Sequence, residues 1–126
     1  MFVRGVNHIS FAVRDLERAR GFYEGLLGLE SIARPDFGIP GAWYQAGNAQ
    51  VHLIELPEGV ETGSPPDSLT PLANHQAFAI ADYGDTLAEL KRRDVPVMET
   101  SPENGQLFVQ DPDGNVIEFI VDGVRD

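Results

Sequence analysis

The chain carries one segment twice. Asn7-His8-Ile9-Ser10-Phe11-Ala12-Val13-Arg14-Asp15 returns as Asn74-His75-Gln76-Ala77-Phe78-Ala79-Ile80-Ala81-Asp82, with Asn, His, Phe, Ala and Asp in matching places. A repeat of this kind constrains the fold more than any local propensity, because each copy must build the same supersecondary unit. Later in each copy, Leu53-Ile54-Glu55-Leu56 is echoed by Val116-Ile117-Glu118-Phe119. Each half therefore brings one histidine near its start and one glutamate near its end. Two His and two Glu related by a repeat point to a metal site.

Strand periodicity turns that pattern into faces. Both histidine segments are short, rich in Val, Ile and Phe, and bounded by polar residues, so they read as strands with alternating side chains. His8, Ser10 and Ala12 share one face and Ile9, Phe11 and Val13 the other; His75, Ala77 and Ala79 behave likewise against Phe78 and Ile80. The apolar face belongs against a helix, and the small residues beside each histidine leave room. In the later strands Glu118 shares a face with Val116 and Ile120, and Glu55 with Leu53 and Val51. A carboxylate among such neighbours needs a partner, since burial of a lone charge is very costly. A divalent cation would supply one.

The rest of each copy reads as strand, helix, then three strands, an α+β arrangement. Asp15 is a helix N-cap, and Leu16, Ala19, Tyr23, Leu26 and Leu27 recur at helical spacing before Gly28 stops the run. In the second copy Asp85 is read as the cap of a helix carrying Leu87, Ala88 and Leu90, with Lys91, Arg92 and Arg93 in its last turn, where cations suit the helix dipole. Strands are expected near 29–34, 42–45 and 50–56, and near 96–99, 106–110 and 115–121. Asp111-Pro112-Asp113-Gly114 has the order of a type I turn and makes the last two strands a hairpin. The expected organisation is a single domain over 1–126: a first module over about 1–56, a Pro-, Gly- and Ser-rich linker over 57–72, and a second module over about 73–122.

Composition sets the outer bounds. No cysteine is present, so disulfides, thiol nucleophiles and thiolate ligands are excluded, and any metal must be held by imidazole and carboxylate. A formal net charge of −11 argues against nucleic acid as a partner, although acidity also serves solubility. No apolar stretch of membrane-spanning length occurs, and Met1-Phe2-Val3-Arg4 lacks the shape of a signal peptide, so no membrane partner and a cytoplasmic location are expected.

Three stretches resemble a known family. Asn7 to Val13 with Asp15, then Phe22-Tyr23-Glu24-Gly25-Leu26-Leu27-Gly28-Leu29, and finally Asp111-Pro112-Asp113-Gly114-Asn115 with Glu118, are similar to the opening strand and helix and the closing hairpin of the vicinal oxygen chelate superfamily. That superfamily includes glyoxalase I, methylmalonyl-CoA epimerase, extradiol dioxygenases, and fosfomycin and bleomycin resistance proteins. The resemblance implies paired βαβββ modules whose eight strands form a mixed sheet around a cleft, with metal ligands from the first and last strands of each module. Here those are His8, Glu55, His75 and Glu118, the four already picked out by the repeat. His52 lies on the same strand as Glu55 at an odd offset, so a regular strand turns only one of them to the cleft. The repeat alignment chooses Glu55 and leaves His52 on the helix face or behind the ligands, whereas a β-bulge would reverse the choice.

The implied chemistry is that of one divalent ion per site, Ni, Zn, Mn or Fe(II), acting on a small-molecule substrate bound through adjacent oxygens. In a glyoxalase-like lyase or isomerase, Glu55 or Glu118 is the catalytic base. In an extradiol-type dioxygenase, His8, His75 and Glu118 hold Fe(II) and Glu55 stands aside. The third reading is a non-enzymatic, drug-sequestering protein of the bleomycin-binding type. The segment Thr100 to Gln106 carries Glu103 and no Lys or Arg, which counts against a phosphonate substrate. Phe37, Trp43, Tyr44 and Phe108 are candidates for a pocket lining. Arg14, Arg18, Arg20 and Arg34 could meet an anion, but nothing in the sequence places any of them at a cleft. The resemblance further implies a homodimer.

Overall fold

The computed structural model describes residues 2–123. Two compact units, Met1–Ser64 and Pro65–Asp126, divide the chain. The first contains β1 (His8–Val13), α1 (Leu16–Arg20), a π-helical continuation over Gly21–Leu26, β2 (Glu30–Ile32), β3 (Gly41–Ala46) and β4 (Ala49–Glu55). The second contains β5 (His75–Ile80), α2 (Tyr83–Arg92), β6 (Met98–Glu99), β7 (Gln106–Gln110) and β8 (Val116–Val121). Each unit is thus a βαβββ module, as the repeat demands. The eight strands are hydrogen-bonded as two four-stranded mixed sheets, one per unit, in the orders β1-β4-β3-β2 and β5-β8-β7-β6. In both sheets the first strand, β1 or β5, is parallel to its neighbour and the remaining pairs are antiparallel.

In the first unit Asp15 caps α1 as expected, its Oδ1 accepting from Arg18 N at 3.1 Å. The helix then widens: Leu27 N donates to Phe22 O at 2.9 Å, five residues back, which is the π-helical bond. Widening turns both Phe22 and Tyr23 inward, where each is buried. Tyr23 meets Phe11 at 5.5 Å between ring centroids and Phe22 at 5.0 Å. These rings, with Val13, Val51 and Leu53, form the core between helix and sheet. Gly28, at φ 70, ends the run in a conformation that favours glycine.

The cap of α2 is Asp82 and not Asp85. Asp82 Oδ2 accepts from Asp85 N at 2.7 Å, so Asp85 sits in the first turn. Asp82 is the repeat partner of Asp15, and the two caps do the same work in the two modules. Two strands are shorter than expected, β2 at three residues and β6 at two. The β7–β8 hairpin is locked by the buried Asp111: its Oδ1 accepts from Asp113 N and Asn115 N, each at 2.9 Å, and Gly114 N donates to Asp111 O at 2.9 Å.

Among the described residues, no helix is long and apolar enough to cross a membrane.

Candidate functional site

The open face of each sheet carries its histidine. In the first unit the parallel register pairs His8 with Gln50, Ser10 with His52, and Ala12 with Ile54. Paired residues on neighbouring strands point to the same side, so the even-numbered residues of β4 face with His8. The His52 ring stacks on the His8 ring at 4.0 Å and 16° and on the Trp43 ring at 4.2 Å and 6°. Three near-parallel rings therefore cross strands β3, β4 and β1 side by side.

This corrects the sequence-based choice between Glu55 and His52. Glu55 is paired with Val13, whose side chain is wholly buried in the helix-side core, and its Oε2 accepts from Leu16 N at 2.8 Å. Its carboxylate satisfies a free N–H in the first turn of α1 and lies on the face opposite His8. The reason is alignment. In the second unit Glu118 pairs with Ala77, two residues after His75, and the residue that pairs two after His8 is His52. The likeness of Leu53-Ile54-Glu55-Leu56 to Val116-Ile117-Glu118-Phe119 is out of step with the sheet by three residues, an odd number that reverses the face.

In the second unit His75 and Glu118 are brought together. His75 Nε2 lies 3.0 Å from Glu118 Oε1, His75 Nδ1 donates to Ala73 O at 2.8 Å, and Gln106 Nε2 donates to Glu118 Oε2 at 3.0 Å. Glu118 is 6% exposed, while His75 is half-buried. Phe108, the β7 partner of Glu118, meets the His75 ring edge-on at 5.5 Å.

The donor chemistry fits a divalent ion. With Nδ1 donating to a backbone carbonyl, Nε2 is turned toward a carboxylate oxygen, an arrangement that a cation or a shared proton satisfies. An outer N–H held by a carbonyl is the usual orientation of a metal-binding imidazole. In the first unit His8 Nδ1 lies 2.8 Å from Asn7 Oδ1 and His52 Nε2 lies 2.9 Å from Gln50 Oε1. His52 is 7% exposed, and burial, aided by the neighbouring His8 and Arg34, lowers its pKa, favouring the neutral ring that a metal requires. Each unit offers a pair of donors. Among the described residues, no three or more His, Cys, Asp or Glu side chains are gathered where they could hold an ion.

A pocket of about 500 Å³ opens over the ring stack in the first unit, walled by His8, His52, Trp43, Phe37 and Arg34. Two of the aromatic candidates, Phe37 and Trp43, belong to it. Tyr44 does not: it is fully buried and its hydroxyl donates to Glu24 Oε2 at 2.6 Å, which together with burial raises its pKa. Of the four arginines considered, Arg34 reaches this pocket. Its sequence neighbours are loop residues, and no periodicity marked it.

The family model of the Glyoxalase/Bleomycin resistance protein/Dioxygenase superfamily matches residues 5–119. The chain is 29% identical over 125 residues to Glyoxylase I 4 of Arabidopsis thaliana, an alignment that covers 94% of this chain and 71% of the relative. It is 26% identical over 139 residues to the metallothiol transferase FosB of Lysinibacillus sphaericus, covering 100% of this chain and 88% of that one. A solved glyoxalase family protein from Bacillus anthracis is similar with a TM-score of 0.78 at 26% identity, over 96% of this chain and 97% of the other.

Proposed function

The chain belongs to the Glyoxalase/Bleomycin resistance protein/Dioxygenase superfamily, and within it we propose a metal-dependent enzyme of glyoxalase type, with lyase or isomerase chemistry on a small molecule bound through adjacent oxygens. The observation that supports this most is the His75–Glu118 pair. Its imidazole is oriented by Ala73 O, and its buried carboxylate is steadied by Gln106. The candidate donors are His8 and His52 in the first unit and His75 and Glu118 in the second, with His52 taking the place first given to Glu55. Imidazole and carboxylate suit Ni, Zn, Mn or Fe(II). When bound, such an ion polarises a substrate carbonyl and stabilises the charge that develops on its oxygen.

Glu118 acts as the base. Its carboxylate is buried and lies 3.0 Å from His75 Nε2, and a carboxylate so positioned can act as a general base toward a bound substrate. Gln106 holds Oε2, and His75 faces Oε1, so the carboxylate is fixed in orientation. Ser10, Ala77 and Ala79 are small and exposed, so the strands carrying the histidines leave space for a substrate.

One observation favours a second reading, an Fe(II) dioxygenase of the extradiol type. Such a site uses two histidines and one carboxylate, and Glu55 is occupied at the start of α1. The deciding experiment is a panel of 2-oxoaldehyde–thiol adducts, acyl-CoA thioesters and catechols, assayed in air and anaerobically with wild type, Glu55→Gln and Glu118→Gln. Turnover without oxygen that is lost in Glu118→Gln is expected. Turnover only in air, with Fe(II) and a catechol, overturns the lyase or isomerase reading; tight binding of a cationic drug with no turnover on any substrate points to sequestration.

Metal uptake is tested separately, by calorimetry and elemental analysis. His75→Ala should weaken it by well over the roughly tenfold typical of outer contacts, and Glu55→Gln should leave it unchanged. A homodimer belongs to the same proposal: each sheet ends in edge strands, which pairing between copies would cover. A monomer by light scattering at micromolar concentration counts against it.

A further inference from the structure

The pocket over the ring stack has a chemical character that metal binding does not explain. No Asp or Glu lines it, although the chain has a formal net charge of −11. Arg34 supplies its only cation. Arg34 makes no ion pair among the described residues, and its Nε–H is buried without an acceptor. Buried donors are normally satisfied, and one left without a partner calls for a ligand or a functional reason.

The guanidinium is held between Phe37 and Gly41. Its carbon lies 5.1 Å from the centre of the Phe37 ring, a cation–π contact. It rests on Gly41, where any Cβ would come within 2.7 Å of Arg34 Nη2. Gly41 pairs with Ile54 on the face that carries His52. Glycine there leaves the space that the guanidinium fills. Beside it the Trp43 ring is stacked on His52, and Phe37, 59% exposed, lies 6.0 Å from Trp43 at a tilt of 41°. Rings are stacked at 4.0 and 4.2 Å from His8 through His52 to Trp43, and the exposed Phe37 ring next to Trp43 continues this aromatic wall.

We propose that this pocket binds an aromatic carboxylate, its ring packed against the exposed Phe37 beside Trp43 and its carboxylate received by Arg34. A guanidinium matches a carboxylate with two parallel charge-assisted hydrogen bonds, and Phe37 is close enough to Arg34 to require only a short spacer between ring and carboxylate. A volume of about 500 Å³ is in the range of small-molecule sites. An acid-free wall with one arginine also draws an anion to a protein that otherwise repels it. The inference needs only the first unit. It adds a substrate class to the proposed enzyme without depending on the metal.

Trp43 is the only tryptophan, so intrinsic fluorescence reports on this pocket alone. The test titrates the full chain, in excess chelator, with phenylacetate, with the neutral isostere phenylacetamide, and with phenethylamine. Phenylacetate should bind at least about tenfold tighter than the amide, the size of one charge-assisted pair, and the amine weakest. Arg34→Gln should bring acid and amide to equal affinity while leaving the amide unchanged, and Arg34→Lys should keep part of the preference. Equal binding of acid and amide by the wild type, an unchanged preference in Arg34→Gln, or no response of Trp43 to any probe overturns the proposal. Because the chelator removes metal, failure of metal uptake and failure of this preference are separate results.

Discussion

His52 and Glu118 hold the same place in their two sheets. Each lies on the strand parallel to the histidine strand, opposite the residue two beyond the histidine: Ser10 for His52 and Ala77 for Glu118. Each is nearly buried and each touches that histidine, by ring stacking in one case and a 3.0 Å polar contact in the other. The repeat has thus kept a metal-capable side chain at one structural position while changing its type from imidazole to carboxylate, so only Glu118 can act there as an anionic base.

The two glutamates that look alike in sequence should separate on mutation. Glu55→Ala removes the acceptor for Leu16 N and should cost about 1 kcal/mol, the usual worth of an N-terminal helix cap, seen as a fall in Tm of about 4 °C. Turnover measured below that Tm should be unchanged. Glu118→Gln should abolish turnover. If Glu55→Ala silences the enzyme while its melting curve is that of wild type, the assignment of Glu55 to the helix is wrong.

Gly41 should be the least replaceable glycine of the first unit. An added Cβ meets Leu53 O and the Arg34 guanidinium, and the backbone carbonyl cannot yield cheaply. Gly41→Ala should cost about 2 kcal/mol or more in urea unfolding, as overpacking does, and should displace Arg34. Gly21, helical at φ −58 with open space around it, is the contrast: Gly21→Ala should be neutral or stabilise by up to about 1 kcal/mol. Similar midpoints for the two variants would contradict the packing described.

Tyr44 gives a buried test of the first unit's core. Its hydroxyl donates to Glu24 Oε2 at 2.6 Å, and Arg20 Nη1 holds the same oxygen at 3.3 Å. Tyr44→Phe should cost about 1.5 kcal/mol, as for a hydrogen bond to a charged group. Chemical denaturation followed by far-UV circular dichroism reads this directly, and an unchanged midpoint would show that Arg20 alone satisfies Glu24.

A pH effect belongs to Glu89 on α2. Arg92 and Arg93 donate to its carboxylate at 2.6 to 2.9 Å and hold its pKa at about 2, down from 4.5. The unfolded chain binds this proton more readily than the folded one, so stability rises with pH through the window. The contribution is complete above about pH 4.5 and is lost as pH falls toward 2. Because the cluster lies at the surface, the effect is small and screened by salt. Glu89→Gln should flatten that part of the Tm–pH curve in low salt, and a steep acid limb retained in the variant would assign it to other carboxylates.

The modules, their strand–helix–strand order and the inward face of β1 were legible because a repeat and a two-residue period are properties of the chain itself. So were Asp15 as a cap, the Asp111–Gly114 turn and the matching places of His8 and His75 at the starts of β1 and β5. The same repeat pairs Asp15 with Asp82, but the reading of Asp85 as the second cap followed local spacing and missed it. Register was not legible. Whether Glu55 or His52 faces His8 depends on which residues of β4 hydrogen-bond to β1, and both choices leave a plausible alternation along β4. The tertiary structure decided it by burying Val51 and Leu53 under the helix, where their apolar area leaves water, and by giving Glu55 the unpaired N–H at the start of α1. Arg34 shows the same limit. A loop arginine carries no periodicity, and only the packing of Gly41, Phe37 and Trp43 around it says where its charge is presented.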